Sequence, residues 1–372
     1  MASINQTPLS NESSTQQNQS SYLDCNVFDF PFSFKITEIL VISLILLPSL
    51  IGNTLFITIV FKRPELRNTV NYFIVNMAVS DLVFALLSTP VRLAAIVSSS
   101  WQWHIEGMAG LIFCNFHVFV ERVSLAVSGQ SLCWIALDRF VAVVFPMKVH
   151  LISSRFRALA MASTWVIATI IRWVDLYLTE FMETDVGVIC KRPEYAFVTA
   201  ALWFKYYLTI LVVFFNVLPL ILMTILYSVI TLTLRKQNKS LSGSEVHQRT
   251  RRKESAIRMS FCIMVSFYIC RVLPTISSSL LFTVQKAYPC PLHLLFLILG
   301  YSMLCVPSVI NPIICLTFVS RYRRGLKEIL NCCFSKRATE SNSRIAKPID
   351  EIKLQAFRVI PEMQENPGLS ET

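Results

Sequence analysis

Apolar residues fall in seven long runs, each bounded by shorter charged and polar segments: Ile36–Phe61, Val70–Val97, Gly110–Phe145, Phe156–Thr179, Tyr195–Leu234, Ser255–Val284 and Leu292–Phe318. The runs are continuous rather than alternating, so they predict helices and not the strands of a barrel. About 20 apolar residues cross a bilayer core as a helix, and every run reaches that length. The expected fold class is all-α, a seven-transmembrane helix bundle over residues 36–331, with a short amphipathic helix over Arg321–Leu330 after the last run. Residues 1–35 read as a polar tail before the bundle and residues 332–372 as a second tail behind it. Pro90, Pro219, Pro274, Pro307 and Pro312 interrupt the pattern. Each removes a helix hydrogen bond and can kink its helix; Pro274 and Pro312 are the hinge candidates.

Composition agrees with that pattern. Of 372 residues, 54% are hydrophobic and 15% charged, against about 25% charged in soluble domains. The net charge of +11 does not point to nucleic acid, because the basic residues cluster in alternate inter-run segments. Lys62, Arg63 and Arg67, then Lys148, Arg155 and Arg157, then the stretch Arg235–Lys253 mark one side. Glu106, Glu180, Glu183, Asp185 and Glu194 dominate the other. The basic side is expected to be cytoplasmic, which puts the N-terminus outside a multi-pass plasma-membrane protein. The first tail carries the glycosylation patterns Asn5-Gln6-Thr7, Asn11-Glu12-Ser13 and Asn18-Gln19-Ser20 on that outer side. It lacks the apolar core of a cleavable signal, so the first run itself is expected to insert it. Cys25, Cys114, Cys190 and Cys290 lie on the predicted oxidising side, where four cysteines allow two disulfides in three pairings. Cys332 and Cys333 follow the last run beside a basic helix and are candidates for acylation.

Four polar residues, Asn53, Asp81, Ser128 and Asn311, fall at one depth, roughly 14–16 Å from the inner ends of their helices at the α-helical rise. A carboxylate there needs hydrogen bonds, a cation or a proton. Two readings are compatible: an interhelical hydrogen-bond knot, and a small-cation site coupled to helix movement. At the inner end of the third run stands Asp138-Arg139-Phe140. Glu254, at the start of the sixth, is a carboxylate that could pair with Arg139 and tie the two helices; alternatively it only suits the N-terminal helix dipole.

In order, Gly52-Asn53, Asn76-Met77-Ala78-Val79-Ser80-Asp81-Leu82, Trp101, Cys114, Asp138-Arg139-Phe140, Pro146-Met147, Trp165, Pro219, Tyr227, Pro274, Asn311-Pro312 and Phe318 resemble the rhodopsin-like (class A) G-protein-coupled receptors. The likeness runs from about Ile36 to Cys333 and is greatest to the neuropeptide receptors. It implies a disulfide between Cys114 and Cys190, leaving Cys25 and Cys290 for a second. It implies a sodium pocket with contributions from Asp81, Ser128 and Asn311, sodium being an allosteric ligand and no other cofactor being expected. It implies that Arg139 exchanges Glu254 for a heterotrimeric G protein when helix 6 swings outward, that Met147 packs into the G protein with Tyr227 nearby, and that Cys332 and Cys333 are palmitoylated. Arrestin is a further expected partner, through Ser335, Thr339, Ser341 and Ser343. Three positions depart from the pattern: Cys315 stands where the family has Tyr, Val272 where it has Trp, and Pro307 where it has Asn. The first two remove large side chains from the usual relay, and the third weakens the sodium reading.

Glu121, two turns below Cys114, is a membrane carboxylate and hence a candidate ligand contact. It could receive an amine or a peptide's arginine; alternatively it pairs internally with Arg271 or Arg92. Arg92, His117, Lys205, Arg271 and Tyr301 complete a polar mouth of mixed charge, which suits a peptide better than a lipid. The expectation is a cell-surface neuropeptide receptor, with a biogenic-amine receptor as the alternative. A secondary transporter would need internal repeats and broken helices, which the chain lacks, and no nucleophile or metal constellation suggests an enzyme.

Overall fold

The computed structural model describes residues 32–98, 105–178, 180–184, 187–191, 202–239, 254–271, 274 and 290–331. Helix α1 is Phe32–Lys62, α2 Thr69–Ser98, α3 Gly107–Val144 and α4 Ser154–Arg172. Helix α5 runs from Leu202 to Lys239, α6 covers 254–271, and α7 is Cys290–Phe318. Among the described residues, five helices are long and apolar enough to cross a membrane; α4 and α6 lie in the order of the fourth and sixth expected spans. Residues 320–331 form a further helix, the stretch expected to be amphipathic.

These helices have little one-sided polarity, and large apolar side chains such as Leu44, Ile170, Ile210 and Leu232 point outward. That surface suits lipid. Lipid tails are as apolar as leucine, so burial alone does not select one helix pairing over another. Close packing and polar contacts must do so. Asn76 on α2 supplies one such contact set: its Nδ2 donates to Ser131 Oγ at 2.9 Å and Thr164 Oγ1 at 3.1 Å, and its Oδ1 accepts from Trp165 Nε1 at 2.9 Å. One side chain thereby ties α2, α3 and α4. Asn53 on α1 donates to the Ser308 carbonyl of α7 at 2.9 Å. Beside it Gly52 allows close approach, since a Cβ there would lie 3.1 Å from Pro312 Cγ. An apolar cluster of Ile42, Phe84, Ile96, Tyr301 and Cys305 fills the space between α1, α2 and α7.

Two local features differ from the expected runs. The fourth run was expected to be helical through Thr179, but α4 stops at Arg172, and a single turn, Asp175–Leu178, follows. Arg172 and Asp175 pair at 3.5 Å there. The Tyr207 hydroxyl donates to the Ile171 carbonyl at 3.2 Å, so a polar set marks the helix end. The all-helical expectation also omits an antiparallel hairpin between the bundle helices α4 and α5. Its strands are β1, Glu180–Thr184, and β2, Gly187–Lys191, with Phe181 opposite Cys190. In α5, Pro219 has no N–H to donate to the residue four before it. The turn just ahead of it, Val213–Val217, widens to a π-helix, in which the Leu218 N–H bonds the Val213 carbonyl.

Candidate functional site

The site is a column of polar residues inside the apolar bundle. At one end of α3, Cys114 is joined to Cys190 of β2 (Cα–Cα 5.8 Å), which fastens the hairpin over the helix. His117 lies one turn further in; its Nδ1 meets the Cys114 carbonyl at 2.8 Å. Glu121 follows another turn on and is 1% exposed.

The structure assigns Arg92 a partner that the sequence reading did not single out. Arg92 Nη2 and Nε both donate to Glu38 Oε1, at 2.6 and 3.0 Å, and both side chains are buried. The guanidinium also stands over the Tyr301 ring, 5.4 Å from its centroid. Helices α1 and α2 therefore meet in one ion pair, with the Tyr301 ring of α7 against it. The signal for Glu38 was a carboxylate inside an otherwise apolar run, the same signal that marked Glu121.

Further in, three of the four residues expected at one depth come together. Asp81 Oδ1 accepts from Ser128 Oγ at 3.2 Å, and Oδ2 accepts from Asn311 Nδ2 at 3.3 Å. Ser80 joins through its hydroxyl, 2.6 Å from Ser128 Oγ. Asn53 stands apart, bonded to Ser49 and Ser308. Asp81 is thus held by one protein donor on each oxygen; Asn311 turns its NH2 group to the carboxylate, and its Oδ1 is buried without a hydrogen-bond partner. Arg271 comes in from α6 just above. Its Nη2 donates to the Leu125 carbonyl of α3 at 2.5 Å, one turn from Ser128, and its guanidinium covers the Phe267 ring at 5.0 Å. Arg271, expected at the mouth, thus meets α3 one turn below Glu121.

At the other end of α3, Arg139 Nη2 pairs with Asp138 Oδ2 at 3.1 Å, on its own helix. Asp138 also reaches Thr69, the first residue of α2. Tyr227 of α5 is buried, stacks edge-on with Phe261 of α6 (5.5 Å between centroids) and lies against Ser260 in the field of Arg139. Phe140 meets Phe145 edge-on at 5.8 Å. Glu254 is the first described residue of α6, and the adjacent Ser255 hydroxyl donates to the Phe318 carbonyl of α7 at 2.7 Å. Met147 is 84% exposed, an apolar side chain presented outward from the turn after α3. The expected roles of Cys25, Asn5, Asn11, Asn18, Val272, Cys332 and Cys333 lie outside the described residues, as do the side chains of Lys205 and Cys290.

Comparison with known proteins agrees with the architecture. The family described as 7 transmembrane receptor (rhodopsin family) matches residues 52–314. The substance-P receptor of Rattus norvegicus is 26% identical over 303 residues, covering 78% of this chain and 70% of that receptor. The substance-K receptor of Bos taurus is 28% identical over 297 residues, covering 78% and 74%. The QRFP-like peptide receptor of Branchiostoma floridae is 29% identical over 236 residues, covering 61% and 60%. With the family match spanning most of the chain, and with the disulfide, the Asp81 cluster and the Asp138-Arg139 pair in their places along the helices, the chain belongs to the rhodopsin family of seven-transmembrane receptors, integral to the membrane and not an enzyme.

Proposed function

We propose that the chain is a receptor for an extracellular neuropeptide that activates a heterotrimeric G protein through outward movement of α6. The observation that carries the peptide reading is Glu121, buried beneath the Cys114–Cys190 bridge in a bundle that also holds the ionic Glu38–Arg92 pair, its guanidinium over the Tyr301 ring. A buried carboxylate there gains most from a cationic ligand group that brings further contacts with it. A small amine held by an aromatic cage would find Arg271 on the facing stretch of α6. The relatives named for substance P, substance K and QRFP-like peptides support the same class.

The Tyr227–Phe261 contact and the Ser255–Phe318 bond are the packing that α6 would have to rearrange on activation. In the resting receptor, Glu254 would hold Arg139, which would exchange it for the G protein while exposed Met147 packs into the same partner. The test is a peptide and amine library applied to cells expressing the chain, read by G-protein dissociation. A peptide agonist is expected, and Glu121→Gln should reduce its potency at least about tenfold, the loss of one charge-assisted contact. Responses to amines alone, or full peptide potency in Glu121→Gln, would overturn the reading.

A further inference from the structure

We infer that Arg271 is the resident counter-cation of Asp81, a guanidinium fixed to α6 that takes the place of an exchangeable sodium ion among α2, α3 and α7. This goes beyond the receptor reading and depends on neither the ligand nor the G protein.

The argument starts with the carboxylate. A charge at mid-membrane depth must be met by a proton, a cation or donors. Ser128 and Asn311 supply one donor to each Asp81 oxygen. An added ion would gain an oxygen from Asn311 only if that amide turned over, because its nitrogen faces the carboxylate and its Oδ1 is buried without a hydrogen-bond partner. On the α7 side, Pro307 offers no side-chain donor atom.

The positive charge comes instead from Arg271. Its bond to the Leu125 carbonyl places the guanidinium one helical turn from Ser128, on the same helix that presents Ser128 to Asp81. Phe267 supports its face. Asp81 thus lies in the field of the guanidinium, a weaker influence on it than its burial and its two donors. Arginine is suited to the task because its guanidinium stays protonated where a lysine would lose its proton, and its several donors can serve a carbonyl and a field at once. A tethered cation also loses no translational freedom on arrival, so a free ion competes with it at a disadvantage and meets its repulsion.

There is a mechanical consequence. A free ion can leave when helices move, but Arg271 leaves Asp81 only if α6 moves relative to α3. The Leu125 carbonyl bond is then an α3–α6 tie within the bundle, away from Arg139 at the end of α3.

The test is thermal unfolding of the purified full-length chain in lipid nanodiscs, without agonist, in sodium chloride against an equal concentration of choline chloride. The wild-type Tm is expected to be the same in both salts. Arg271→Met opens the site, and its Tm should rise by about 2–4 °C in sodium only, saturably. Asp81→Asn added to Arg271→Met should abolish that rise. A saturable, sodium-specific rise in the wild type that Asp81→Asn removes would overturn the inference, and so would a folded Arg271→Met variant indifferent to sodium. If Arg271→Met fails to fold, the wild-type comparison still decides, together with Asp81→Asn alone. That variant should lower Tm equally in both salts by leaving Arg271 without its counter-charge; an unchanged Tm overturns the proposal.

Discussion

Glu38 and Arg92 show what a single pair of residues does in an apolar bundle. Each alone would be costly to bury, and together they hold α1 to α2 with two donated hydrogen bonds. Removing one partner leaves the other charge buried. Glu38→Gln is therefore expected to cost about 3–5 kcal/mol, measured as a lower Tm of the purified receptor. Glu38→Met with Arg92→Met should recover most of that loss, because apolar replacements of a buried pair are often neutral or stabilising. A Glu38→Gln receptor as stable as the parent would mean that the pair contributes nothing net. Glu121 had the same legibility in sequence as Glu38, a carboxylate in an apolar run. What the run could not show was that Arg92 faces Glu38, because pairing depends on how α1 and α2 are rotated about their axes.

At the scale of elements, the contact of α1 with α7 rests on a missing side chain. A Cβ at Gly52 would lie 3.1 and 3.2 Å from Pro312 atoms, closer than packed carbons tolerate without movement. Gly52→Val should push the helices apart, stretch the Asn53–Ser308 bond and destabilise by about 1–3 kcal/mol, again read as Tm. Pro312→Ala in the same chain should return part of the loss; if it returns none, the steric account fails. The helix boundaries were the least legible part of the sequence. The apolar run past Arg172 read as one helix through Thr179, whereas the Arg172–Asp175 pair and the Tyr207 bond end it earlier. The hairpin carrying Cys190 was equally hidden, since ten residues of mixed polarity have no helical or strand period strong enough to read.

For the whole molecule, the question is how the two ends of α3 communicate. Val272 and Cys315 depart from the usual relay residues, yet the described bundle contains other α6 contacts in series: Arg271 to Leu125, Tyr227 with Phe261, and Ser255 to Phe318. If Glu254 restrains Arg139, Glu254→Ala should raise ligand-independent G-protein signalling at matched surface expression, by about fivefold for a restraint near 1 kcal/mol. Unchanged basal signalling would leave the Arg139–Asp138 pair, at 3.1 Å, as the arrangement that holds Arg139 in the resting state. Ser255→Ala should shift the same equilibrium in the same direction, since it frees the start of α6 from the end of α7.

The sequence by itself determined the membrane class, the number and order of apolar spans, the candidate disulfide cysteines and the depth of the Asp81 group. Those properties follow from local composition and helical rise, which act along one helix at a time. Only the tertiary structure decided which charges meet. It set Arg92 on Glu38, Asn311 and Ser128 on Asp81, and Arg271 on the Leu125 carbonyl. The reason is that lipid gives a helix no strong preference for one face over another. Rotation about each helix axis is chosen by the few polar and small residues that find partners on other helices, and those partners are far away in sequence.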